Sequence, residues 1–234
     1  MLALSDLDLL ALWEVVQGAH PVARPVELLR AVVIHGDDER HDDPHPEQLP
    51  IGTRDRKLLA LREQWFGARY ETTSDCPACG TRVELTFDTP PAADASAPLR
   101  LAHDGRELEY RLPDTRDLIA LLDCTSIDDA RARLAARCLD LDSVPDDLVA
   151  PLAEALSTAD PDGDLRVALT CPDCGGGWEA LFDPATHLWS EVESAAFRLL
   201  RDVDALAAAY GWSEDAILSM SPVRRQAYLR MVTS

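Results

Sequence analysis

Two matching cysteine segments constrain the fold of this chain more than any other feature. One, CPACGTRVELTFD, begins at Cys76, and the other, CPDCGGGWEALFD, begins at Cys171. Both follow the pattern CPxCG, three residues, Glu, two residues, Phe-Asp. Two thiolates three positions apart supply half of a tetrahedral metal site, so the two segments together supply a complete one. The sequence therefore predicts that a metal joins two segments that lie 95 residues apart.

The predicted ligands are four thiolates, and the predicted metal is one structural Zn²⁺. Four sulfur ligands fill a tetrahedron and leave no position for a substrate or a water molecule. A dithiol redox centre is an alternative, although it favours a CxxC at a helix N-terminus. Two metal-free turns with buried thiols are a second alternative. The ligands are Cys76, Cys79, Cys171 and Cys174, whereas Cys124 and Cys138 lie outside the pattern and Cys138 is expected in a helical core.

Apolar residues alternate with polar ones beside the cysteine pairs. Such alternation is typical of a half-buried β-strand. Each cysteine pair is therefore expected at the tip of a β-hairpin, which is the zinc-ribbon arrangement. The alternating residues are Val83, Leu85 and Phe87 after the first pair, Leu165, Val167 and Leu169 before the second, and Trp178, Ala180 and Phe182 after it.

Helical periodicity dominates both ends of the chain. Two helices are expected within residues 5–35, and a third is expected to have Thr53 as its N-cap and to end at Gly67. Asp183, which precedes a proline, predicts the start of a long helix that Gly211 ends. Two short helices follow it. Both ends are thus expected to contribute helices to one body.

The predicted fold class is α+β, mainly α. Residues 1–69 and 184–234 form the helical body, and residues 70–183 form an inserted four-cysteine zinc-ribbon β subdomain that carries extra helices. The further elements expected inside the insert are a strand at 108–112 and helices from Thr115, at 128–139 and at 146–156.

Negative charge is concentrated in the insert. The chain has a net charge of −20, and residues 70–183, with 24 acids and 9 arginines, contribute −15 of it. Proteins that wrap nucleic acid or bind anionic membranes use lysines and arginines, which are in deficit here. The start lacks a basic leader, and no apolar stretch reaches membrane-spanning length, so a cytoplasmic location with reduced thiols is expected. The acidic residues 36–50 are expected to form an exposed loop.

No recognisable catalytic grouping occurs in the sequence, so neither an enzymatic activity nor a small-molecule substrate is predicted. The segment DPDGD, residues 160–164, lacks the glutamate that closes an EF-hand calcium loop and is expected to be a turn. The histidines have neither metalloprotease nor triad spacing, and each is expected at the surface or capped. They are His20, His35, His41, His45, His103 and His187.

The C-terminal tail is nearly neutral, because residues 198–234 hold five arginines and four acids. Its two short helices have the spacing of a DNA-reading helix-turn-helix, but this charge balance favours packing or the docking of a partner protein. Trp212, Tyr228 and Met231 are suited to anchor such a contact. Packing of the same side chains onto the long helix is an equally good interpretation.

The tail also resembles part of a known family. This family, the T-even-type phage baseplate hub assembly chaperones and their relatives in contractile phage-tail-like injection systems, has a C-terminal part similar to LWSEVESAAFRLLRDVDALAAAYGWSEDAILSMSPVRRQAYLRMV. Its motifs here are the turn YGWSE, Tyr210–Glu214, and the pair Arg224 and Arg225 before Tyr228. The segment LPIGTRDRKLLALREQWFG looks like the helical entry to a CPxCG ribbon in injection-system members. Residues 90–164 are largely unmatched.

The resemblance implies a non-enzymatic factor that binds baseplate hub or wedge proteins, either as an assembly chaperone in the cytoplasm or as a minor component of the particle. The residues expected to bind the partner are Trp212, Arg224, Arg225 and Tyr228. A zinc-ribbon protein associated with nucleic acid or transcription is the first alternative, although the acid excess disfavours it. A thiol oxidoreductase is the second.

Overall fold

The computed structural model describes residues 4–35, 45–92 and 99–232, and the side chains of residues 32–35 lie outside that description. The fold is α+β and mainly helical, as predicted. The loop expected over residues 36–50 falls largely outside the described residues, as do His41 and the side chain of His35. The helices are α1 (Asp6–Gln17), α2 (Arg24–His35), α3 (Ile51–Phe66), α4 (Thr115–Ala120), α5 (Ile127–Leu139), α6 (Asp146–Ala159), α7 (Pro184–Tyr210), α8 (Glu214–Leu218) and α9 (Pro222–Val232). The strands are β1 (Arg69–Asp75), β2 (Arg82–Asp88), β3 (Arg100–His103), β4 (Arg106–Glu109), β5 (Arg166–Thr170) and β6 (Gly177–Leu181).

Helices from both ends of the chain share one hydrophobic core. The apolar stripe of α7 packs there against α1, α2 and α3. Burial of these side chains supplies the main driving force for joining segments that are remote in sequence. The most completely buried members are Val16, Leu28, Leu58, Leu188 and Val192.

The ends of α7 lie where the sequence predicts them. The Asp183 carboxylate accepts hydrogen bonds from the backbone amides of Ala185 and Thr186, which satisfies two amides that have no partner inside the helix. Gly211 ends the helix in the left-handed region, at φ +68°. This helix carries the apolar stripe across the whole helical body.

The start of α3 differs from the prediction. The sequence favours Thr53 as the N-cap, but the helix begins at Ile51, after Pro50. Its second amide, that of Gly52, donates a 2.8 Å hydrogen bond to the carboxylate of Asp160. The cap is therefore supplied by the DPDGD turn, which is 108 positions away and forms a 3₁₀ turn over Pro161–Asp164. Arg56 donates from α3 to the Asp162 carboxylate in the same turn.

A second core lies within the insert. Tyr110, Cys138, Leu148 and Leu152 pack together from the segment after β4 and from α5 and α6. The predicted strand at 108–112 is shorter and earlier than expected, because β4 covers Arg106–Glu109 and pairs with β3, a strand that the sequence did not predict. The chain leaves this ladder where the backbone amide of Arg111 donates to the carbonyl of Cys138 on α5.

Two further hairpins flank this second core in the sequence. β1 pairs antiparallel with β2 from Arg69↔Asp88 to Asp75↔Arg82, and β5 pairs antiparallel with β6 from Arg166↔Leu181 to Thr170↔Gly177. Half-buried and exposed residues alternate along β2 and β6, as the apolar pattern predicts. Each hairpin turns at one CPxCG segment, so the fold places the two cysteine pairs at equivalent positions.

In the part of the chain that the structure describes, no helix is both long and apolar enough to span a membrane.

Candidate metal centre

The two cysteine turns have the same backbone geometry. In the first, the Cys76 amide donates to the Thr81 carbonyl at 2.9 Å and the Gly80 amide donates to the Cys76 carbonyl at 2.8 Å. In the second, the Cys171 amide donates to Gly176 at 2.9 Å and the Gly175 amide donates to Cys171 at 3.0 Å. A residue with positive φ is required after the second cysteine of each turn, and glycine meets that need at low cost.

The hairpins bring the four predicted cysteine ligands together. The Sγ atoms of Cys76 and Cys174 are 3.7 Å apart, and those of Cys79 and Cys171 are 3.6 Å apart. All four sulfurs lie within 4.8 Å of one another. A tetrahedral ion with metal–sulfur bonds of about 2.3 Å places its sulfur ligands about 3.8 Å apart. The cluster therefore has the donor type, number and spacing to hold a metal ion.

Each cysteine turn contributes one buried and one exposed cysteine to the cluster. Cys76 and Cys171 are buried, whereas Cys79 and Cys174 are exposed. The Thr81 hydroxyl donates a 2.8 Å hydrogen bond to the Asp173 carboxylate and thereby links the two turns on the exposed side. The cluster is thus fixed from the hairpin side and open to solvent at its outer edge.

The thiols of the cluster differ in acidity. Hydrogen bonding with Thr81, and with the neighbouring cysteines, lowers the pKa of Cys79 to about 6. The backbone amide of Gly176 lowers the pKa of Cys174, but the neighbouring thiols outweigh it and raise that pKa to about 12. Adjacent thiols that share protons resist ionising together, and a bound cation removes that restriction.

An aromatic cluster joins the two hairpins to the helical body. The Tyr70 ring stacks on Phe87 at 5.1 Å, and Phe182 contacts both rings edge-on. His187 on α7 lies 5.0 Å from the Tyr70 ring, and its Nε2 atom is 3.7 Å from the Glu191 carboxylate. The sequence favours a surface or capped histidine here, and the structure instead packs His187, half-buried, inside this joint. The equivalent phenylalanines of the two cysteine segments meet here.

An ion pair lies beside that aromatic cluster. Arg62 of α3 donates two hydrogen bonds to the Glu191 carboxylate of α7, at 2.7 and 2.9 Å, and its guanidinium covers the Tyr70 ring at 3.9 Å. Burial raises the pKa of Glu191, but the neighbouring His187 and Arg62 side chains lower it to about 2 overall. Neither residue belongs to a sequence motif. This ion pair is therefore recognised only from the positions of the two side chains in the structure.

The cysteines outside the pattern stay away from the cluster. Cys138 lies in the second core, as predicted, and its burial raises the pKa of its thiol to about 11. Cys124 is half-buried beyond α4. A separate group, formed by His103, Asp104 and Asp147, brings one histidine nitrogen to 3.8 and 3.5 Å from two exposed carboxylates. These three side chains form a surface ion-pair group.

The predicted partner-binding residues fall into two environments. Trp212 stacks on Tyr210 at 4.5 Å and meets Tyr228 edge-on at 4.9 Å, and the Arg224 guanidinium lies 5.7 Å from the Tyr228 ring. This tail cluster, defined by Tyr210, Trp212, Arg224 and Tyr228, is half-buried to exposed.

Arg225 has a different environment. It is only 4% exposed, pairs with Asp6 of α1 and lies 3.6 Å from Asp202 of α7. The structure therefore uses Arg225 to hold α9 onto the body, while Arg224 remains at the surface.

Comparisons with family models, curated proteins and solved structures find no match for this chain.

Proposed function

We propose that this protein is a non-enzymatic protein-binding factor whose fold is held together by one structural Zn²⁺. The observation that carries the proposal is the convergence of four cysteine sulfurs, with cross-hairpin separations of 3.6 and 3.7 Å. Soft thiolate sets of this kind select Zn²⁺ or iron–sulfur clusters. The spacing suits a single ion, and four thiolates leave no open position for chemistry on that ion.

The first hairpin holds the ion through Cys76 and Cys79, and the second holds it through Cys171 and Cys174. Bound Zn²⁺ supplies positive charge that stabilises four adjacent thiolates, without a redox step. Coordination then fixes the ends of the segment between the hairpins. The Asp160 cap on α3 attaches the same segment to the helical body.

The tail cluster is the surface proposed to contact a partner protein. Aromatic and arginine side chains contribute most of the energy of many protein interfaces. The resemblance of the tail to baseplate hub assembly chaperones supports hub or wedge proteins of a contractile phage-tail-like particle as the partner. The binding would occur in the cytoplasm, before or during assembly of the baseplate. Zn²⁺ has only a folding role in this proposal.

Metal analysis tests the first half of the proposal. Protein purified without added metal should contain about one zinc per chain, and removal of the zinc by a chelator should lower the stability of the insert. A metal-free protein with full native stability would contradict a structural ion.

Recovery of partners tests the second half. The tagged full chain should recover hub or wedge proteins from cells that produce the particle, and Trp212→Ala should reduce that recovery while the zinc content is unchanged. Recovery with free baseplate proteins alone indicates a chaperone, whereas stoichiometric recovery with intact particles indicates a component. Failure to recover either class of protein would contradict the proposed partner.

One observation favours a second function, that of a thiol oxidoreductase. Cys79 and Cys174 are exposed, so their thiols are accessible to solvent in the absence of metal. Thiol titration of the zinc-loaded protein separates the two functions. Four unreactive metal-bound cysteines support the structural role, whereas one rapidly alkylated cysteine supports redox chemistry.

A further inference from the structure

An open groove separates the two cysteine-bearing hairpins below the candidate metal centre. It has a volume of about 360 Å³. The inner faces of both hairpins line it, chiefly through Thr72, Ser74, Leu85, Ala180 and Phe182. Leu181, with 65% of its surface exposed, lies at its rim. Thr186, His187 and Ser190 of α7 also line the groove, which therefore combines apolar and polar side chains and is accessible from solvent.

The groove follows from one difference between the two cysteine segments. Position for position, Val83 corresponds to Trp178, Leu85 to Ala180 and Phe87 to Phe182. The second hairpin therefore carries only a methyl group where the first carries a leucine. Thr72, which pairs with Leu85 across the first hairpin, is also small. The missing volume leaves room for a side chain from another molecule.

Unpaired strand edges form the walls of the groove. Among the described residues, β1 pairs only with β2 and β6 pairs only with β5. Three consecutive residues of β1, 72–74, line the groove, and so do residues 180–182, of which Ala180 and Leu181 are the last two residues of β6. Side chains alternate between the faces of a strand, so consecutive residues line a groove only where it runs along the strand edge. The unpaired edges of β1 and β6 thus border it, whereas the amide of Phe182 already donates to the carbonyl of Leu165.

The surface around the groove is acidic. Residues 69–88 and 164–183 together carry eight acids and three arginines. Two of those arginines are already paired within the hairpins, Arg82 with Asp75 and Arg166 with Asp164. The exposed outer faces retain further carboxylates, namely Glu71, Glu84, Asp88 and Glu179. An approaching chain that carries positive charge is favoured here.

We propose that this groove binds an extended basic segment of a partner protein by β-strand addition to the edge of β1 or β6. An apolar side chain of the segment enters the space beside Ala180, and its lysines or arginines face the carboxylates of the hairpins. Main-chain hydrogen bonds to a strand edge supply affinity, and a pocket for alternate side chains supplies selectivity. This inference rests on the proposed protein-binding function and identifies a second contact surface, separate from the tail cluster.

The test uses the zinc-loaded full chain and, as the probe, an acetylated heptapeptide of alternating lysine and valine. Its binding is followed by fluorescence anisotropy and by amide shifts in NMR spectra. The amides of residues 72–74 and 180–182 should shift on binding. Ala180→Leu, which fills the groove with the side chain found at the equivalent position 85, should weaken binding at least tenfold. Ala168→Leu, the same change on the exposed outer face of β5, should leave it within twofold.

A second variant and a second peptide guard against a folding defect in Ala180→Leu. Leu181→Lys changes only the exposed rim and should weaken binding of the basic probe by charge repulsion. A probe that is N-methylated at every residue has no backbone amide to donate to a strand edge and should bind at least tenfold more weakly.

The proposal is overturned if the lysine–valine probe does not bind, if its N-methylated form binds equally well, or if the shifts map to α9. It is also overturned if a second copy of the chain covers the groove in solution. If partner recovery depends on Trp212 but not on Ala180, the protein binds its partner through the tail cluster. The protein-binding function is then retained, and the groove takes no part in it.

Discussion

The two cysteine hairpins and the C-terminal helices both join segments that are far apart in the sequence, but they do so by different chemistry. The hairpins meet through four sulfurs from two short, matching motifs. Helix α9 is tied to the start of the chain by one ion pair, Arg225 with Asp6, across 219 positions. A metal needs several ligands of one kind at fixed spacing and so produces a pattern in the sequence. An ion pair needs one residue on each side and produces none.

The two joints should also differ in strength. Structural zinc sites contribute apparent binding free energies of about 10–16 kcal/mol in small domains, most of it available for folding. A buried ion pair is costly to break but adds little net stability, because both charges lose water. Variants of the cysteine cluster and of the Arg225–Asp6 ion pair therefore measure how much each contributes to the free energy of unfolding.

Loss of one cysteine ligand should have the largest effect. Cys171→Ser removes a buried ligand, and we expect it to abolish stoichiometric zinc binding and to lower the free energy of unfolding by more than about 4 kcal/mol. Metal analysis and urea unfolding measure the two quantities. Cys124→Ser is the matched control, since Cys124 lies outside the cluster, and it should keep one zinc per chain. If Cys171→Ser kept both its zinc and its stability, the four-cysteine site would not be what joins the two hairpins.

Breaking the C-terminal joint should have a smaller effect. Arg225→Ala leaves Asp6 and Asp202 without their buried partner and should lower the free energy of unfolding by about 2–3 kcal/mol, because both carboxylates keep some contact with water. Arg224→Ala, at the exposed neighbouring position, should change it by less than about 0.5 kcal/mol. Equal effects from the two arginines in chemical unfolding would show that burial does not distinguish them.

The ion pair between Arg62 and Glu191 lies where the hairpins contact the helical body, and it does not involve the metal. The dependence of stability on pH tests how much this ion pair contributes. The pKa of Glu191 in the folded protein, about 2, lies below its usual value near 4.5. Its carboxylate therefore stabilises the fold at pH values above about 4.5, and this contribution is lost as the pH falls toward 2. Glu191→Gln should cost about 2 kcal/mol at pH 7 and much less at pH 3.

Acid also protonates the cysteine ligands, so the measured quantity is the difference between Glu191→Gln and the unmodified protein in the same buffer. A difference that does not change with pH would show that the Arg62–Glu191 pair is not the acid-sensitive contact.

Removal of the distant helix cap should have the smallest effect. Asp160→Ala deletes the carboxylate that accepts the Gly52 amide, and we expect a loss of about 1 kcal/mol, typical of an N-cap. Asp160→Asn retains an acceptor oxygen and should recover most of it. Thr53→Ala, at the position that the sequence favours as the cap, should be nearly neutral by thermal unfolding. A larger loss at Thr53 than at Asp160 would contradict the observed helix start.

Local signals predicted the parts of the fold that depend on neighbouring residues. The ends of α7, the hairpin positions and the clustering of the four cysteines each depend on a few adjacent residues, such as Asp183 before a proline or a glycine after each cysteine pair. The helix start at Ile51 and the strand β3 were missed. The cap of α3 comes from 108 positions away, and the shortened β4 reflects competition from the carbonyl of Cys138.

In the candidate site, too, the features that depend on neighbouring residues were predicted and the others were not. The CPxCG pattern identified which cysteines meet, because turn geometry and ligand spacing are local properties. The aromatic joint and the environment of Arg225 gave no such signal, and the replacement of Leu85 by Ala180 at the equivalent position indicated a groove only once the two hairpins were seen to face each other. His187 is half-buried because Tyr70 and Phe182 arrive from two hairpins, and Arg225 is buried because α1 and α7 both approach α9.

The sequence by itself therefore determined the mainly helical α+β class, the cysteine hairpins and the four sulfurs that can hold a metal. Hydrogen bonds and periodicity within a few residues are sufficient for those features. Only the tertiary structure decided which arginine is buried, which carboxylate caps α3 and where the hairpins leave an open groove. Those features depend on surfaces brought together from across the chain, and the free energy of such packing is not encoded in any single stretch of sequence.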